Sequence, residues 1–329
     1  MERKIKIVID TKGGDHGALP MIKGAATALE KFENLAVLLV GDEETIKKEC
    51  EAMNLPMDRV EILHATDEIT NYDKLAEALF SKTESSMLKA LRELSGREDL
   101  FGMITAGNTA IVLTGAMRHL SGKERVRPAL AAVLPAQNGS FTCLVDTGAT
   151  IDCTPAMLHH FAKLGSEFMR NVYGIESPKV GLLSNGAEAT KGNKLVKETY
   201  PLLDEDENIH FVGNVEGNIA LSGVCDVLVC DGFAGNQVLK VTEGTATRII
   251  TDIMKYAHRT KSEEIKVLAQ HLMGVYDISS LGGGYILGIE KPVIKIRGSA
   301  GEKAIVSTTE MLLNMAENKE IFDKSRNKV

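Results

Sequence analysis

The chain has 329 residues, 44% hydrophobic and 25% charged, which is enough apolar material for a sizeable core and argues against wholesale disorder. Its formal charge is -7, from 38 basic and 45 acidic residues, so no basic surplus supports non-specific nucleic-acid binding. The absence of Trp and an aromatic content of 5% argue against a base-stacking surface.

Short apolar runs alternate with longer helical patterns along the whole chain. Lys6–Asp10, Ala36–Gly41, Val60–His64, Phe101–Thr105, Ala129–Leu134, Phe141–Asp146, Val180–Leu183, His210–Gly213 and Asp226–Asp231 all read as buried strands. Their near-continuous apolar character suits a parallel sheet covered on both faces. Helices are expected over Pro20–Phe32, from Thr154-Pro155 to about Asn171, over Gly192–Leu203 and over Gln237–His258. Thr242–Ser280 reads as a helical hairpin with no intervening strand, solvated or else contacting a partner or a membrane surface. A final β-α unit, Val293–Ile296 and Lys303–Met315, closes the chain. The β-α alternation implies a doubly wound α/β fold over 1–329 as one large unit, with 242–280 as an inserted hairpin.

The five Cys are Cys50, Cys143, Cys153, Cys225 and Cys230. An odd number without a repeated short spacing argues against a disulfide framework or a structural zinc site, and for reduced thiols. His159-His160 are adjacent on a helix and point in different directions, so no metal site is expected there. Met1–Asp10 lacks a signal-type apolar core, and no apolar run reaches the roughly 18–20 residues of a membrane span. A cytoplasmic protein is expected.

Chemistry is expected where strands end, because open α/β sheets bind ligands at the carboxyl ends of strands against helix N-termini. The first such end carries Gly13, Gly14, Asp15, His16 and Gly17, whose glycines let backbone N–H groups approach an anion. The second carries Gly107, Asn108 and Thr109, and the third Asp146. The fourth, Ser184 to Asn193, gathers Asn185, Lys191, Gly192 and Asn193, with the Lys placed to meet a phosphate. The fifth carries Asn214; the sixth carries Asp231, Gly232 and Asn236, with Lys240 further along. Six polar ends on one sheet edge suggest a shared pocket for an anion. Neither G-x-G-x-x-G, a Walker A pattern nor a G-x-S-x-G elbow is present.

The ordered set of motifs resembles the bacterial acyl-ACP:phosphate acyltransferase family of phospholipid synthesis. The resemblance runs from Ile9–Pro20 (IDTKGGDHGALP) to Ile294–Ser299 (IKIRGS). It passes through Ala106–Thr109 (AGNT), Arg127–Pro135, Val145–Pro155, Thr190–Asn193 (TKGN), Gly213–Gly217 and Cys230–Lys240 (CDGFAGNQVLK). It implies a three-layer α/β/α fold related to isocitrate and isopropylmalate dehydrogenases, with a protruding hairpin. It further implies transfer of a fatty acyl group from an acyl carrier protein thioester to inorganic phosphate, a homodimer, and no organic cofactor. Some members contact the membrane peripherally through the segment matching Thr242–Ser280.

Phosphate attack on a thioester needs little acid assistance, since a thiol of pKa about 8.5 leaves readily as thiolate. The site must hold phosphate near the carbonyl and stabilise the oxyanion. Lys191 and Asn193 are the candidates for phosphate, with Asn108 and the backbone near Gly107 at the oxyanion. Asp15, His16 and Asp231 are candidates for orientation or proton transfer. The chain departs from the family pattern at Lys12, Leu75, Phe80, Ser184, Ala187, Asn218-Ile219 and Arg297-Gly298-Ser299-Ala300. A different acyl thioester donor, or a binding protein without turnover, are the readings left open by those departures.

Overall fold

The structure is a computed structural model that describes residues 4–70, 73–122, 126–276 and 283–326. The chain forms β1 (Ile5–Asp10), α1 (Ala18–Lys31), β2 (Leu35–Gly41), α2 (Glu43–Ala52), β3 (Val60–His64), α3 (Leu75–Ser81), α4 (Ser86–Gly96), β4 (Leu100–Thr105) and α5 (Thr109–Leu120). There follow β5 (Ala129–Pro135), β6 (Phe141–Val145), α6 (Pro155–Tyr173), β7 (Lys179–Ser184), α7 (Lys194–Asp204), β8 (His210–Glu216), β9 (Val227–Val229), α8 (Gly232–Thr260) and α9 (Glu263–Tyr276). The last elements are β10 (Gly284–Leu287), β11 (Val293–Lys295) and α10 (Glu302–Arg326). Two compact units result: Met1–Pro128 with Gly282–Val329, and Ala129–Leu281.

In the first unit the strand order is β3-β2-β1-β4-β11-β10. All neighbours are parallel except the β10–β11 pair. β2 is buried at all seven residues, as a strand covered on both faces must be. Helices α1 and α10 pack together over one face, where Gly24 leaves room for Ile305. Helices α4 and α5 cover the other, and Gly115 lets α5 close on Leu91 and Leu88.

In the second unit the order is β5-β6-β9-β7-β8. Here β5 runs antiparallel to β6, against the parallel expectation for Ala129–Leu134. The reason is length: Ala136–Ser140 makes a tight hairpin, with Ala136 N–H donating to Ser140 O at 2.8 Å and Gly139 at φ 81°. A parallel crossover needs a dozen residues or more. Helix α6 covers one face, with Gly165 against Val227 and Val145. Its ends are set locally: Thr154 Oγ1 accepts from Met157 N–H, Pro155 takes the first turn, and Gly174 at φ 69° stops the helix.

The first turns of α8 cover the opposite face. Ala234, Val238 and Leu239 pack on the core of Leu134, Leu144, Val215, Cys225 and Leu228. The remainder of this 29-residue helix, about 44 Å long at 1.5 Å per residue, pairs with α9. The hairpin expected from Thr242 thus begins inside a helix that starts at Gly232. Residues 277–280 lie outside the described residues. Along the hairpin Val241 is 64% exposed, Ile249 53% and Val267 56%. Among the described residues no helix is long and apolar enough to cross a membrane.

Candidate functional site

The candidate residues fall into two groups, one in each unit. In the first unit, β1 ends on Asp10, which is fully buried. Its carboxylate accepts from Ser86 Oγ at 2.6 Å, Thr105 Oγ1 at 2.7 Å and Lys12 N–H at 3.2 Å. Burial pushes this carboxyl above its ordinary range, with the two hydroxyls pulling back. Thr105 Oγ1 in turn accepts from Gly107 N–H at 3.1 Å. The Asp10–Thr105 pair therefore ties the β1 loop to the β4 loop.

That tie explains two glycines. A Cβ on Gly13 would stand 2.7 Å from Gly107 N and 2.8 Å from Asp10 Oδ2, so only a glycine lets the loops close this far. Gly14 lies against Gly298 O, which accepts from Asp15 N–H at 2.8 Å. Asp15 and His16 are exposed beside them. Asn108 caps α5: its Oδ1 accepts from Ala110 N–H at 3.0 Å and Ile111 N–H at 3.4 Å. Among the described residues its amide nitrogen donates no hydrogen bond, and Thr109 follows at the first helical position.

In the second unit, Asp146 is turned inward rather than toward a substrate. Oδ1 accepts from Leu130, Gly148 and Ala149 N–H groups at 3.1, 3.1 and 2.9 Å, and Oδ2 accepts from Thr150 N–H at 2.6 Å. Burial pushes its carboxyl up against the pull of these four donors. Gly232 N–H donates to Thr150 O at 2.8 Å, and a Cβ there would stand 2.7 Å from that oxygen. Asn236 Nδ2 donates to Thr147 O at 3.2 Å. Asp146, Gly232 and Asn236 together fix the start of α8 against the β6 loop.

The Ser184–Asn193 loop is the most ligand-ready part of this unit. Asn185 Oδ1 accepts from Gly192 N–H at 2.9 Å, and Asn193 Oδ1 caps α7 by accepting from Val196 N–H at 2.9 Å. Asn214 Nδ2 braces the loop by donating to Glu188 O at 2.8 Å. Lys191 is exposed, its stem crosses Gly186, and among the described residues its ammonium meets no carboxylate. Lysine, two amide nitrogens and the opening N–H groups of α7 make a donor set for an oxyanion.

Beside this loop is a pocket of about 500 Å³. Its rim is Ser184, Asn185, Asn193 and Asp231; deeper walls are Leu158, Leu182, Val196 and Cys230. Asp231 is the N-cap of α8, accepting from Ala234 N–H at 2.8 Å. Burial pushes the Cys230 thiol well up, so it stays protonated and acts as an apolar wall. Lys240 is not on the pocket: it pairs with Glu243 at 3.2 Å further along α8.

Asp10 and Thr105 close two of the strands read from the sequence, which gives them no role of their own, and Ser86 and the walls Leu158 and Val196 are not singled out by it. Asp10 was visible as the residue opening the Gly13-Gly14 loop. Leu158 and Val196 carry no signal beyond being apolar positions of amphipathic helices.

The fold is one shared with a phosphotransacetylase and a dehydrogenase of known structure. A phosphotransacetylase from Streptococcus pyogenes superposes with a TM-score of 0.65 at 16% identity, over 96% of this chain and 94% of that one. The 4-hydroxythreonine-4-phosphate dehydrogenase of Klebsiella pneumoniae superposes at 0.54 and 11% identity, over 95% and 99%. These likenesses show the fold and agree with the α/β architecture expected. Residues 5–321 match the family described as fatty acid synthesis protein, and the chain belongs to that family. The protein named phosphate acyltransferase in Halothermothrix orenii is 40% identical over 308 residues, 92% of each chain.

Proposed function

We propose that this protein is a phosphate acyltransferase that moves a fatty acyl group from an acyl carrier protein thioester to inorganic phosphate. One observation carries the reading of the site: the exposed Lys191, without a carboxylate partner among the described residues, on a loop that runs into the N-terminus of α7. A phosphate seated there meets an ammonium, the amide nitrogens of Asn185 and Asn193, and backbone donors at once. One of its oxygens attacks the thioester carbonyl carbon. The C–S bond breaks, the carrier thiolate takes the proton that phosphate gives up, and acyl phosphate and free carrier thiol result. Asn108 Nδ2 and the Gly107 backbone are assigned to the oxyanion, and Asp15, His16 and Asp231 to orientation or proton transfer.

The family resemblance supports a cytoplasmic homodimer. The apolar residues exposed on α8 and α9 support self-association, and they equally suit peripheral contact with a lipid surface. Sedimentation of the purified protein with and without anionic vesicles separates the two. The activity is tested by trapping acyl phosphate with hydroxylamine from phosphate and a panel of acyl-carrier and acyl-CoA donors. Phosphate-dependent product from long-chain donors is expected; absence of product from every donor sinks the assignment.

A further inference from the structure

The pocket beside the Ser184–Asn193 loop has a division that a phosphate site alone does not require. Its depth is apolar and comes from four separate elements: Leu158 of α6, Leu182 of β7, Val196 of α7 and Cys230 at the end of β9. These four are at most 9% exposed, and none brings a charge. Its rim is polar. Both rim asparagines have their oxygens engaged by backbone N–H groups, which leaves their Nδ2 donors for a guest. The hydroxyl of Ser184 is buried on the rim and meets no partner. A buried hydroxyl without a partner is costly unless a ligand or water completes it. Rim donors that seat a phosphate leave the apolar walls beneath them free for hydrocarbon. An orthophosphate would fill only the rim. The volume of about 500 Å³ lies within the range of about 300–1,000 Å³ typical of ligand pockets.

We infer that this pocket holds the acyl chain of the thioester donor, with the hydrocarbon between α6 and α7 and the carbonyl carbon turned toward the phosphate seated at the Ser184–Asn193 rim. The inference rests on the acyl-transfer reading above and adds to it a chain-length gauge. Val196 of α7 and Ala234 of α8 both line the pocket, so enlarging either takes space from the hydrocarbon. Each methylene that loses its place costs about 10- to 200-fold in kcat/KM.

The test compares V196F and A234L with the wild-type chain on acyl donors from two to eighteen carbons. The ratio of long-chain to short-chain kcat/KM is expected to fall at least about tenfold in both variants. A general loss of fold lowers all donors alike and leaves that ratio unmoved. An unchanged ratio in well-folded variants overturns the inference. A second arm uses the wild-type protein and needs no turnover: a sixteen-carbon acyl-CoA with a diazirine at its last carbon, photolysed and mapped by mass spectrometry. Label on the α6 and α7 peptides bearing Leu158 and Val196 supports the inference; label only elsewhere, or none, overturns it. Label at those peptides without acyl phosphate formation sinks the transfer reaction while the chain site stands.

Discussion

Gly192 N–H donates to Asn185 Oδ1 at 2.9 Å, closing the Ser184–Asn193 loop on itself. The closure needs Gly192 at φ 102°, a conformation L side chains rarely adopt, and a Cβ there would stand 2.6 Å from Val196 Cβ. The loop that presents Lys191 is thus rigid by construction. Replacing Gly192 by Ala is expected to lower stability by about 1–3 kcal/mol from backbone strain. It should also raise the KM for phosphate, because the amides of Asn185 and Asn193 lose their register. Urea denaturation and steady-state kinetics on G192A read the two effects. A variant with normal stability and normal phosphate dependence would contradict the closure argument.

Lys191 has its ammonium free of carboxylates among the described residues, whereas Lys163 of α6 and Lys194 at the start of α7 are paired. A charged hydrogen bond to an anion contributes about 1.5–3 kcal/mol, so K191A should raise the KM for phosphate by about tenfold or more. K191R keeps charge and should recover part of the loss. Thermal stability should not move, since the side chain makes no structural ion pair. A K191A enzyme with an unchanged phosphate KM removes Lys191 from the site.

Asn108 carries two jobs that one pair of substitutions separates. Its Oδ1 caps α5, while Nδ2 is the donor assigned to the oxyanion. N108D keeps an equally good cap but removes the donor. It should retain stability and lose kcat by about 10²–10³-fold, the cost of one oxyanion donor. N108A loses cap and donor, so it should fall in both stability, by about 1 kcal/mol, and rate. Equal rates for N108D and wild type would confine Asn108 to capping.

The cores of β1, β2 and β4 were legible because two-sided burial writes continuous apolar runs; Val60–His64 is a strand as expected, but it lies at the sheet edge and buries none of its residues. β5 was legible as a strand but not in its direction, which the Ala136–Ser140 hairpin decides and apolar content does not encode. The division after Pro128 leaves no mark in composition, since the β-α rhythm continues through it. At the site, residues that a loop presents, such as Lys191 and Asn193, announce themselves by Gly-rich neighbours. Residues that face inward do not. Asp146 looks like a ligand group in sequence and proves to be bound by four backbone N–H groups. Asp10 looks like a strand end and proves to join two loops.

Asp10 makes the last prediction, in which pH is the variable. Burial raises its carboxyl above the ordinary 3.8, so between that value and the higher folded one the folded state binds more protons than the unfolded state. Where the folded state binds more protons, stability falls as pH rises. The favourable contribution of neutral Asp10 is complete below about pH 3.8 and is lost as pH climbs through the higher folded value. Asn cannot ionise, so D10N removes that slope. It also leaves the Thr105 hydroxyl without its acceptor, at a cost of about 1–3 kcal/mol. D10N should therefore be less stable than wild type at pH 4, and the gap should narrow as pH is raised to 8. Urea midpoints for the two proteins across that range measure it, and the difference cancels every other titrating group, including Asp146. A gap that stays constant with pH would mean that Asp10 ionises equally in both states, and the Asp10–Thr105 tie would then be a hydrogen bond to a fully charged carboxylate.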